Sequence, residues 1–123
     1  MARSASAGAG ARLARILAHT LPSLILIQAF LAGRHLFGGW GITVHGVVGN
    51  ITFAVALATL VLAWRARLRP AMTVAAVLVA LITAQIGLGY GGRETAEAAA
   101  WHVPLGVAIF GLAVYQLTLI PRR

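Results

Sequence analysis

The chain has 123 residues, of which 60% are hydrophobic and 10% charged, and its net charge is +8. A soluble domain of this size does not need so much apolar surface, and the absence of cysteine excludes disulfides and thiolate metal sites. All ten basic residues are arginines, but they cluster between apolar stretches rather than along one face, which makes a nucleic-acid role a poor fit.

Four stretches are each long enough to cross a hydrocarbon core about 30 Å thick, which takes roughly 20 helical residues. The first, Leu13–Phe37, follows Arg3, Arg12 and Arg15, contains His19 and Pro22, and carries Arg34 and His35 near its far end. Its apolar run exceeds the usual 7–15 residues of a signal-peptide core, so it is read as a retained span. Pro22 is expected to bend it. The second, Val44–Trp64, opens on His45 and leads into Arg65, Arg67 and Arg69. The third, Met72–Tyr90, is followed by Arg93, Glu94 and Glu97. The fourth, Ala99–Ile120, opens on Trp101 and His102 and precedes Arg122 and Arg123.

These runs are too long and continuous for barrel strands, so the expected fold is an all-α, four-transmembrane-helix bundle forming one domain over residues 1–123. Eight of the ten arginines fall on one side of an alternating topology. The positive-inside rule then places both termini in the cytoplasm. The composition, rich in Ala, Gly and Arg and free of Lys, suggests a bacterial cell (inner) membrane, with lipid as the first partner.

An ungapped offset of 57 residues superposes two halves, roughly 13–64 and 72–120. Leu24, Ile25, Gln28 and Leu31 match Leu81, Ile82, Gln85 and Leu88; His45, Gly49, Phe53, Ala56 and Leu60 match His102, Gly106, Phe110, Ala113 and Leu117. The latter series steps by 4, 4, 3 and 4, which is one stripe of a helix. The bundle is therefore expected to consist of two repeated two-helix hairpins related by a two-fold axis along the membrane normal. That symmetry sets His45 and His102 at equal depth on either side of the axis.

Imidazoles cost free energy inside a bilayer, and a matched pair calls for a chemical reason. Two facing imidazoles suit the axial positions of a non-covalent haem b, with His45 and His102 as the metal ligands. Covalent c-type attachment is excluded by the missing cysteines. Gly49 and Gly106 lie one turn inward from each histidine, where a missing Cβ leaves room for a flat macrocycle. Phe53 and Phe110, a turn further, are placed to floor the cavity. Gln28 and Gln85 are candidates for bonding across the bundle or to an imidazole N–H. Arg34 and Arg93 are candidates for the propionates. Each has a plainer reading: interfacial histidines, close helix packing, ordinary core phenylalanines, solvated loop arginines. His35 is expected to face water, with a propionate or quinone contact as alternatives. His19 has no histidine at its depth on another span.

The run Gln85-Ile86-Gly87-Leu88-Gly89, followed by a histidine opening the next span, resembles one four-helix half of the haem A synthase family. The resemblance covers the second to fourth spans loosely. It implies a haem-binding half-bundle with His45 and His102 in the ligand positions. That family places a glutamate one turn before a second-helix histidine and a cysteine pair in an outer loop; here Gly41 stands four residues before His45 and no cysteine exists. Haem hydroxylation is therefore not implied. Gln28–Gly33 ahead of a His-x-x-x-Gly also resembles small uncharacterised four-span bacterial membrane proteins.

The sequence thus points first to a bis-His, single-haem membrane protein that transfers electrons or holds haem, rather than a haem-modifying enzyme. Its partners would be a quinone or a respiratory-chain complex, and a homo-oligomer is open. A haem-free accessory subunit of a respiratory complex is the alternative. A small transporter ranks third, because the only acidic residues, Glu94 and Glu97, lie in or beside a loop.

Overall fold

The computed structural model describes the backbone of residues 2–92 and 94–121 and the side chains of residues 9–92 and 94–121. Four helices follow in order: α1 (Ala2–Gly38), α2 (Thr43–Arg65), α3 (Arg69–Gly91) and α4 (Ala96–Gln116). All four contain a stretch long and apolar enough to cross a membrane. Each helix packs on the next and α4 closes the ring on α1, so α2 and α4 stand on one diagonal and α1 and α3 on the other. The chain is an all-α four-helix bundle.

Helix boundaries depart from the apolar runs for local reasons. α1 starts well before Leu13. Its leading Ala and Arg residues are strong helix formers, although they are not membrane-like. Pro22 lies inside α1 without ending it. α4 starts at Ala96 because the Thr95 hydroxyl accepts from the Ala98 amide, with Glu97 in the favourable first turn. It ends at Gln116 rather than Ile120: Leu117, Thr118 and Leu119 donate to carbonyls three residues back, a tightened final turn ahead of Pro121. Between α2 and α3 the chain reverses through Arg67, at φ 56°, and Pro70 sits in the first turn of α3, where its missing N–H costs nothing.

Leu21, Ala56, Leu78, Ile82, Ile109 and Ala113 form one buried cluster, and Ala18, Ala63, Ala71 and Ile120 a second nearer the termini. Alanines dominate because lipid offers helices no hydrophobic drive to associate. Small side chains let backbones approach and gain dispersion contacts instead. Buried Thr52 and Thr59 return their hydroxyls to Val48 and Val55.

The packing is uneven along the bundle axis. Toward the α1–α2 and α3–α4 loops, Leu31 is the one buried apolar residue among the described residues of 26–51 and 83–108. Arg12, Arg15, Arg65, Arg67 and Arg69 lie toward the opposite end.

Candidate ligand site between the paired histidines

The loosely packed end holds both repeated histidines. His45 is on the first turn of α2 and His102 on the second turn of α4. The rings meet across the diagonal, with centroids 6.1 Å apart and planes inclined at 56°. Both are half-buried.

Each ring is held by the preceding helix. The His45 Nδ1 lies 3.1 Å from the carbonyl oxygen of Gln28, and the His102 Nδ1 lies 3.0 Å from that of Gln85. A carbonyl only accepts, so Nδ1 must carry the hydrogen in both rings. In the neutral imidazole the lone pair then sits on Nε2. In metal-ligating histidines a hydrogen bond from the other ring nitrogen fixes the orientation of the ring.

The Gln85 side chain bonds from helix to helix, one of the two roles expected of it. Gln85 Nε2 donates to the His102 carbonyl at 2.8 Å, so residue 85 and residue 102 clamp each other with two bonds. The glycines make this possible. A Cβ on Gly106 would stand 3.1 Å from Gln85 Nε2, and one on Gly49 would stand 2.8 Å from Gln28 Nε2. The space expected for a macrocycle edge therefore seats a carboxamide. The amide oxygens Gln28 Oε1 and Gln85 Oε1 are both buried without a hydrogen-bond partner among the described residues.

Gly89 is a site residue that the sequence reading did not single out. A Cβ there would lie 3.1 Å from His102 Cε1. It falls four residues after Gln85, on the same face of α3, which was a readable signal. The matching position after Gln28 is Ala32, so the two halves differ there.

The other candidates are further from the imidazoles or differently engaged. Phe53 is half-buried against the first core cluster, and Phe110 is half-buried on α4. The Arg34 guanidinium lies over the Trp40 ring at 4.9 Å, and Phe30 meets the same ring edge-on at 6.2 Å. Arg34 is thus engaged with the α1–α2 loop. Arg93 lies outside the described residues. His35 is exposed and donates from Nδ1 to the Trp40 carbonyl at 2.8 Å. His19 is exposed in the half near the termini.

The donor set has a chemical meaning. Among the described residues there is no group of three or more His, Cys, Asp or Glu side chains able to hold a metal ion. Two imidazoles alone do not make a tetrahedral site. They do suit a metal whose remaining positions come from a macrocycle. Two metal–nitrogen bonds of about 2.0–2.1 Å, with about 1.1 Å more to each ring centre, set trans imidazole centroids about 6.3 Å apart. The observed 6.1 Å falls close to that value.

No family model matches the chain, and no match to it was found among curated proteins or solved structures.

Proposed function

We propose that the chain is an integral membrane protein that binds one haem b non-covalently, with His45 and His102 as its two axial ligands. The observation that carries this reading is the spacing of the imidazoles, 6.1 Å between centroids on diagonally opposed helices. Three further features support it. Both rings carry their hydrogen on Nδ1, which leaves Nε2 as the ligating atom. Among the described residues, Leu31 is the one buried apolar side chain at this level, and a porphyrin would add apolar contact there. The likeness to a haem A synthase half points the same way.

In this reading the bundle is two repeated hairpins about a two-fold axis, in a bacterial inner membrane with both termini cytoplasmic. Gln28 and Gln85 tie the ligand helices to their neighbours, Phe53 and Phe110 bound the site from the core side, and Arg34 and Arg93 are the propionate partners. When bound, haem supplies one-electron chemistry. Two filled axial positions favour electron transfer with a quinone or respiratory partner, or haem holding, over oxygen binding. Transport is disfavoured because no acidic residue lies mid-span.

The test is an absorption spectrum of the detergent-extracted protein, with haem counted per chain. Soret and α bands at one haem per chain are expected. Colourless protein that also fails to take up added haem would refute the proposal and leave the haem-free accessory subunit.

A further inference from the structure

The outward face of α2 carries one feature that lipid does not satisfy. Val44, Val47, Asn50, Ile51, Ala54, Leu57, Val61 and Trp64 are its exposed positions, and they recur at helical spacing. Asn50 sits in the middle of this stripe, seven residues past Thr43, about 10 Å below the start of the helix. That depth is inside the hydrocarbon. Thr20, Thr73 and Thr83 also face outward, but each returns its hydroxyl to the carbonyl four residues back. His19 faces outward four residues past Arg15, near the arginine-rich end and within reach of headgroups; Ser23, eight residues past Arg15, also faces outward. The Asn50 carboxamide makes no hydrogen bond among the described residues.

We infer that the α2 face around Asn50 is a homodimer interface, in which the Asn50 carboxamides of two copies bond each other. A carboxamide has both donor and acceptor, so across a two-fold axis it is its own complement. An unsatisfied amide in hydrocarbon is costly, and Asn is a recognised glue between membrane helices. The positions one turn to either side are Gly46 and Ala54, and a Cβ added at Gly46 would meet nothing within 4 Å. Small residues flanking the amide let two helices approach closely enough for it to reach its twin. The inference does not depend on haem. It does put the interface on the helix that carries His45.

The chain has no cysteine, so single-cysteine cross-linking has no background. Ala54→Cys, oxidised in native membranes, is expected to give a band at twice the 12.8 kDa chain mass. Val107→Cys, outward on α4, is expected to stay monomeric. Adding Asn50→Val to Ala54→Cys is expected to weaken dimerisation about tenfold or more, the loss of two reciprocal interhelical bonds, while Asn50→Gln retains it. Helical content by circular dichroism reports folding of each variant. Three outcomes would overturn the inference: no cross-link at residue 54, a cross-link there to a protein of another mass, or a dimer that Asn50→Val leaves undiminished.

Discussion

Gly89→Ala puts the imidazole geometry under direct strain. The added Cβ would stand 3.1 Å from His102 Cε1 and 3.5 Å from Nδ1. Carbon atoms in contact sit about 3.5–4.0 Å apart, so the ring must retreat by about 0.4–0.9 Å. Metal–ligand distances tolerate only about 0.2 Å. The displacement exceeds that tolerance, and the ring is pinned by its bond to the Gln85 carbonyl, so it cannot swing freely. Disturbing such supporting contacts typically costs about 10–100-fold in metal affinity. Haem titration of the apoprotein, followed at the Soret band, should show a loss of that order. Helix stability should move the other way, because Ala is favoured over Gly in a helix by about 1 kcal/mol. Gly87→Ala is the control, since a Cβ there meets nothing within 4 Å. Equal haem affinity of Gly89→Ala and Gly87→Ala would refute the reasoning.

Other substitutions test other parts of the account. Gln116 is fully buried, donates to the Ala71 carbonyl at 3.3 Å and leaves Oε1 without a partner among the described residues. Gln116→Leu removes a weak bond and an orphan acceptor together, so thermal unfolding in detergent should show unchanged or higher stability; a clear loss would contradict this. Thr95→Ala deletes the α4 cap and should cost about 1 kcal/mol in the same assay. Arg34→Ala removes a cation from the Trp40 ring, a contact worth about 0.5–1 kcal/mol at an exposed site. In a variant retaining Trp40 as its single tryptophan, emission should report a more mobile, wetter ring.

The four helices were legible because lipid imposes one rule on backbone polar groups, and long apolar runs state it openly. Their ends were less legible, since hydropathy marks the span and capping marks the helix; Thr95 and the final turn after Gln116 shift α4 toward the chain start. The histidine pair was legible from the 57-residue offset. The atoms that orient it were not. A side-chain pattern shows that Gln28 and Gln85 matter, but the acceptor for each imidazole is a backbone carbonyl, which any residue supplies. That the Gln28 and Gln85 carboxamides lie against Gly49 and Gly106 was not legible, since it depends on the rotamers of neighbouring side chains. Gly89 has no counterpart in the first half, where Ala32 stands, so only its spacing from Gln85 marks it. The stacking of Arg34 on Trp40 depends on how the loop folds back, which spacing alone does not determine.

Electron paramagnetic resonance of the ferric, haem-loaded protein probes the two-imidazole iron most directly. The account predicts a low-spin signal in the unmodified chain and its conversion to high-spin, or loss of haem, in both His45→Ala and His102→Ala. A high-spin signal at the outset, or a low-spin signal surviving either substitution, would contradict it.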